Sequence, residues 1–209
     1  MNVYEDKVLP HLINCACGNK AISRLRKEIV PQCEGIVLEV GMGSGLNLRH
    51  YDAEKVEFVW GLEPSIGMRD KAASNLAKSP VEVRWLDLPG EEIPLEDESV
   101  DTVLLTYTLC TIPNTDAALK QIKRVLKPGG KLLFCEHGQS DDRRIRKWQN
   151  RLNPVWSKLA GGCNLNRTID SLIAGSGFQI RQMKEFYTPG VPKFAGFTYM
   201  GEAQLKPVS

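Results

Sequence analysis

Charge of one sign is what this sequence lacks first: 27 basic residues against 25 acidic ones leave a formal net charge of +2. Nucleic-acid binding runs on a strong basic field, so nucleic acid is not expected as a partner. Long hydrophobic runs are missing too. Nothing approaches the roughly 20 apolar residues that cross a bilayer, so no transmembrane segment is expected. The N-terminal stretch MNVYEDKVLPHLIN has acids where a secretory signal wants bases, and it has no long apolar core. The expected compartment is the cytoplasm. Cys-x-x-Cys pairs are also absent. Of Cys15, Cys17, Cys33, Cys110, Cys135 and Cys163, only the first two lie close together, so no metal site is expected. Cysteines in apolar segments act as small reduced hydrophobes. With no repeat and no low-complexity linker, the 209 residues read as one domain with a sizeable core.

Short apolar runs alternate with helical patterns along the middle of the chain, the signature of β-α-β units and a mainly parallel sheet. Strands are expected at residues 35–40, 56–62, 81–86, 100–106 and 131–135. Ser65 is placed to cap a helix whose apolar face holds Ile66, Ala73 and Ala77. Ala118, Leu119, Ile122, Val125 and Leu126 form a helical stripe that Lys127-Pro128-Gly129-Gly130 should end. Ile145, Trp148, Leu152, Val155 and Leu159 recur at helical spacing, and Pro154 should begin a second helix there, capped by Asn153. A short helix is expected near residues 168–174. Strand-like runs at 178–187 and 194–200 lie too close for a helical crossover and should pair antiparallel. Leu9, Leu12, Ile13 and Ala16 suggest one helix before the first strand. Ile22, Leu25 and Ile29 suggest another.

The chemistry concentrates in Leu38-Glu39-Val40-Gly41-Met42-Gly43-Ser44-Gly45, which follows a strand and precedes a short helical stretch at 46–51. Glycines at 41, 43 and 45 permit backbone angles closed to other residues and let a ligand lie against the main chain. A dinucleotide fingerprint would put its third glycine at position 46, which is Leu. A G-x-G-x-G bend instead suits a nucleoside ligand without a pyrophosphate. Glu63, ending Gly61-Leu62-Glu63, stands about twenty residues further on, where a carboxylate takes the hydroxyls of a ribose. Read alone, it is a solvated acid at a strand end, and only its coupling to the glycine bend favours the ribose role. His137, directly after the fifth strand, is a candidate general base with an ordinary pKa near 6.5. Alternatively, it holds a loop by hydrogen bonding. His11 and His50 are weaker candidates.

The stretches LEVGMGSG, GLEPS, SVDTVLLTYTLC and VLKPGGKLLFCEH resemble, in order and spacing, the motifs of class I S-adenosylmethionine (SAM)-dependent methyltransferases. Thr108-Leu109-Cys110, Glu136-His137, Leu152-Asn153-Pro154-Val155-Trp156 and Gly162-Cys163-Asn164-Leu165 extend the likeness. They resemble the methyltransferase-like thiol methyltransferases of the endoplasmic reticulum and their bacterial relatives. The N-terminal membrane anchor of the mammalian members is not seen here.

The resemblance implies a Rossmann-like, seven-stranded, mostly parallel sheet with helices on both faces and an antiparallel C-terminal strand. Residues 1–34 would form a helical lid, 35–137 the cofactor core and 138–209 the substrate side. SAM is the cofactor implied. Glu39, Gly41, Met42, Gly43 and Gly45 would shape its methionine side, and Glu63 would bind the ribose. Pro64, Ser65 and Met68 would lie near the adenine, flanked by Gly90 and Glu91. Thr106, Tyr107 and Leu109 would line the methyl end. Pro89 stands where many members carry an Asp beside the adenine amino group, leaving that group to backbone or to Glu91.

SAM is already an activated donor, so the protein's task is alignment and exclusion of water, worth roughly 7 to 11 kcal/mol. The expected acceptor is a small molecule, a thiol or another lipophilic nucleophile. Two other readings stand beside it: a NAD-binding oxidoreductase and a SAM-binding protein without catalysis. The basic run Arg143-Arg144-Ile145-Arg146-Lys147 is either a solvated face or a weak peripheral contact with anionic lipid. The sequence is silent on oligomeric state.

Overall fold

Val37, Leu38, Val40, Val59, Leu62, Val103, Leu104 and Leu105 are buried almost completely. Such runs require a sheet covered on both faces. In the computed structural model, which describes residues 17–206 together with Leu9, His11 and Asn14, they build it. The strands are β1 (Gly35–Val40), β2 (Val56–Leu62), β3 (Glu82–Leu86), β4 (Val100–Thr106), β5 (Leu126–His137), β6 (Phe178–Tyr187) and β7 (Phe197–Leu205). Their order is β3-β2-β1-β4-β5-β7-β6. The first five run parallel, and β7 lies antiparallel between β5 and β6. The expected seven-stranded mixed sheet is therefore present.

Among the described residues the longer helices flanking it are α1 (Lys20–Ile29), α2 (Ile66–Leu76), α3 (Thr115–Val125), α4 (Arg143–Leu159) and α5 (Ile169–Gly175). Alternation along β4 splits the core in two. Val103 and Leu105 join Leu38, Ile122 and Ile173 on one face. Leu104 joins Val37, Val59 and Ile29 on the other.

Several local expectations shift. β5 begins at Leu126, because residues 127–130 stay within the strand's span while looping out of the ladder. The register moves from Val100↔Leu126 to Thr102↔Lys131, with Gly129 at φ +81°. α4 runs unbroken through Pro154. A proline removes one backbone donor, and this helix tolerates that loss. Asn153 is not free to cap a second helix: its Oδ1 accepts from the Leu165 amide at 2.7 Å and its Nδ2 donates to Asn164 at 3.0 Å. Asp142 caps the single helix instead.

In α2 the buried residue is Ala72, while Ile66 is 67% exposed. The inward face is thus set by Ala72 and half-buried Leu76, one turn apart. After the glycine bend comes only a 3-10 turn, Leu48–His50. The last strand begins at Phe197, preceded by a single turn of α-helix, Lys193–Gly196. Of the first expected helix, Leu12, Ile13 and Ala16 lie outside the described residues, as does Cys15.

Candidate cofactor and acceptor sites

β1 and β2 lie parallel with Val40 opposite Leu62, so the loops at their C-terminal ends emerge side by side. After β1 comes the bend, with Gly41, Gly43 and Gly45 at φ +70°, +60° and +72°. Gly41 has no room for a side chain: a Cβ there would stand 2.2 Å from Thr108 Oγ1. After β2 comes Glu63. Its Oε2 accepts from the Gly43 amide and its Oε1 from the Ser65 amide, both at 2.9 Å. The carboxylate thus bridges the bend and the start of α2, where Ser65 Oγ accepts from the Met68 amide. Burial pushes the Glu63 carboxyl above its ordinary range, and the Ser65 and Gly43 amides pull the other way.

A cavity of about 360 Å³ opens here, within the roughly 300–1,000 Å³ typical of small-ligand sites. Gly41, Met42, Gly43, Glu63, Pro64, Ser65, Met68, Gly90, Glu91, Thr106 and Tyr107 all border it, as does Pro89. Glu91 Oε1 accepts from the Asn114 amide at 3.1 Å.

Three expected residues stand off that wall. Leu109 is fully buried in the core. A side chain on Gly45 would meet Leu48 rather than the cavity. Glu39 lies behind the bend. Its two oxygens accept from Tyr51 Oη at 2.6 Å and Asn47 Nδ2 at 2.8 Å. Burial lifts its pKa to about 7, opposed by the Tyr51 bond and by Arg26.

Arg26 was not foreseen. It lies on the cavity wall, and its Nη1 donates to Asn47 Oδ1 at 2.6 Å and Thr106 Oγ1 at 3.0 Å. Its Nε is buried with no hydrogen-bond partner among the described residues. The signal was present, since Arg26 is a cation on the buried stripe Ile22, Leu25, Ile29 of α1.

A second cavity, also about 360 Å³, shares Cys17, Tyr107 and Thr111 with the first. Its wall includes Cys110, His137, Trp156 and Cys163. Tyr107 stands between the two, at φ +56°, with its ring stacked 6.2 Å from that of His137. His137 Nε2 is 3.1 Å from Cys163 Sγ, which also accepts from Trp156 Nε1 at 3.4 Å. Two further unforeseen groups hold the loop after β4. Glu136 Oε1 accepts from the Thr108 amide at 2.8 Å. Arg167 Nη1 donates to the carbonyls of Leu109 and Ile112. His11 and His50 border neither cavity. His11 is exposed beside Lys71.

The family described as "Methyltransferase domain" matches residues 38–134. Thiol S-methyltransferase TMT1B of Rattus norvegicus is 32% identical over 139 residues, 64% of this chain and 56% of that protein. The match therefore spans little more than half of that relative's length. Thiol S-methyltransferase TMT1A of Homo sapiens is 29% identical over 171 residues, 80% of this chain and 69% of that one. Among solved structures, a possible histamine N-methyltransferase from Thermotoga maritima superposes with a TM-score of 0.63 at 22% identity, covering 98% of both chains. The [4+2]-cyclase SpnF gives 0.63 at 20% identity, covering 90% of this chain and 81% of its own. Both likenesses speak to the fold, and the cyclase shows that one fold serves more than one chemistry.

Proposed function

We propose that the chain is a class I methyltransferase and that it moves a methyl group from SAM to a small-molecule thiol. The observation that carries this reading is the bridge from Glu63 to the bend at Gly43, on the wall of a ligand-sized cavity. Open backbone and a buried carboxylate side by side fit a nucleoside ligand. In this reading Gly41, Met42 and Gly43 border the methionine part, with Gly45 and Glu39 shaping the bend from behind. Glu63 accepts from the ribose hydroxyls. Pro64, Ser65, Met68, Gly90 and Glu91 surround the adenine, and Thr106 and Tyr107 face the methyl end. Leu109 supports the loop from the core. Arg26 supplies the positive charge that a carboxylate on the methionine part requires.

SAM, when bound, supplies an electrophilic methyl group on a sulfonium. What the chain's own residues add is alignment. Tyr107, on both walls, separates donor from acceptor, so an acceptor in the second cavity approaches the methyl end across it. His137 is proposed as catalytic because its ring faces that cavity. The names of the thiol S-methyltransferase relatives favour a thiol acceptor, and so does a cavity lined by soft sulfur and aromatic groups. Residues 1–34 are proposed as a lid, residues 35–137 as the cofactor core and residues 138–209 as the acceptor side, with the cytoplasm as compartment. No helix among the described residues is long and apolar enough to cross a membrane.

The oxidoreductase reading is disfavoured by one observation. The bend runs into a 3-10 turn, so no α-helix N-terminus follows it to receive a pyrophosphate. A labelled-methyl assay with thiols, amines and phenols tests the proposal. Methylated thiol is expected, and Glu63→Ala should raise the KM for SAM roughly 10- to 100-fold, the loss of charge-assisted hydrogen bonds worth about 1.5–3 kcal/mol. SAM binding with no methyl transfer to any class would leave a non-catalytic binder, and the proposal would fall.

A further inference from the structure

We propose that Cys110, His137 and Cys163 bind one zinc ion whose remaining coordination position opens onto the second cavity. The three donor atoms all lie within 4.8 Å of one another. All three residues border that cavity. They arrive from the loop after β4, the end of β5 and the turn after α4, so no short sequence motif announces them. Two thiolates and an imidazole are soft and borderline donors, which select zinc over magnesium or calcium. Three protein ligands with one position open is the arrangement of catalytic zinc, whereas structural sites are closed by four.

Contacts around the two cysteines hold their loops still, whereas His137 Nδ1 is buried with no hydrogen-bond partner among the described residues. Asn164 ties the two cysteine loops together, donating from its amide and from Nδ2 to the Cys110 carbonyl at 2.9 and 3.2 Å. Glu136 and Arg167 pin the loop that carries Cys110. The Trp156 indole N–H can only donate, and it points at Cys163 Sγ. That is the second-layer contact a metal-bound thiolate accepts. Two thiolates within 4.8 Å of each other would repel. A dication between them makes the cluster electrically neutral.

The role of the ion rests on the thiol-acceptor reading above. An acceptor thiol entering the open position gives up its S–H proton to solvent and stays as a thiolate, since metal coordination deprotonates a thiol outright. Its sulfur then forms the new S–CH3 bond while the carbon–sulfonium bond breaks and its electron pair stays on the departing thioether sulfur. The products are a methyl thioether, S-adenosylhomocysteine and one proton, with nothing oxidised or reduced. The uncharged thioether holds zinc less well than the thiolate and leaves. His137 thereby acts as a ligand, not as the proton acceptor the sequence suggests.

The test uses the full chain, reduced and stripped of metal, then titrated with zinc and separately with cobalt(II). Wild type is expected to take up one zinc and, with cobalt, to show thiolate-to-metal charge-transfer bands and the intense visible bands of a tetrahedral site. Cys110→Ser, Cys163→Ser and His137→Ala should each weaken zinc by at least ~tenfold, while Cys33→Ala, in the opposite core, keeps it. Retained thermal stabilisation by SAM establishes that the variants are folded. Cobalt without charge-transfer bands, or zinc held equally by all four variants, overturns the site. Zinc bound at this trio with no thiol methylated keeps the site and removes the acceptor reading. Equal thiol turnover with and without bound zinc overturns the ion's role.

Discussion

Glu39 shows at the scale of one residue how a motif position can serve the fold. Its carboxyl is sealed behind the bend against Tyr51 and Asn47. Burial raises its pKa from 4.5 to about 7, against the Tyr51 bond and Arg26. A carboxyl whose folded pKa is raised binds more protons folded than unfolded. Its contribution to stability is therefore full below about 4.5 and is lost as pH rises through 7. With each pH unit between those values worth about 1.36 kcal/mol, the loss is about 3 kcal/mol. Glu39→Gln keeps the shape and removes the titration. Urea midpoints at pH 5 and pH 8 should therefore fall further in wild type than in the variant; parallel shifts in both would refute the account. The motif was legible in sequence, but its division of labour was not. Gly41, Gly43 and Glu63 follow from strand ends and φ angles alone. That Glu39 and Gly45 face away depends on Tyr51, Asn47 and Leu48, which only the folded chain brings round. Arg26 was overlooked because a cation on a buried stripe reads as a breach of the pattern, when it marks a polar site.

Among the elements, α4 departs most from what periodicity implies. Its spacing predicted a helix correctly, yet Trp148, Val155 and Leu159 are 57%, 62% and 62% exposed, with Leu152 at 37%. The protein-facing side is set by buried Gln149 and half-buried Trp156, whose partners are Ser140, Gly138, Phe194 and Cys163. Period reveals that a helix has an apolar face, but not what that face meets. At 3.6 residues per turn, the outward stripe falls between that side and an arc of Arg144, Arg151, Lys158 and Lys147. Apolar groups rimmed by cations match the interface of an anionic bilayer. The weak peripheral contact that the sequence leaves open at residues 143–147, as the alternative to a solvated face, predicts co-sedimentation with vesicles containing phosphatidylserine and little with pure phosphatidylcholine. Binding should weaken at high salt, and Trp148→Glu with Val155→Glu should abolish it. Concentration-dependent self-association without vesicle binding would assign the face to a second copy of the chain.

For the whole molecule, the order of the elements was legible because each β-α alternation fixes the next strand's direction. The antiparallel last pair followed from a connection too short to cross over. Contacts between loops far apart in sequence were not legible, and these decide the chemistry: the bend after β1, Glu63 after β2, Tyr107 after β4 and His137 at the end of β5 meet only because parallel strands end together. A ligand lodged across those strand ends must be released before the sheet can open, so cofactor affinity should appear as global stability. At a SAM concentration of 100 times Kd the gain is about 2.7 kcal/mol, which for a chain of this size raises Tm by roughly 5–11 °C. Glu63→Ala at the same concentration, with affinity down roughly 10- to 100-fold, should keep only about 0.4–1.4 kcal/mol of that gain, and NADH should leave wild type unmoved. A rise with NADH but not with SAM would return the domain to dinucleotide chemistry. An equal rise in Glu63→Ala would show that the bridge to the bend is not what holds the cofactor.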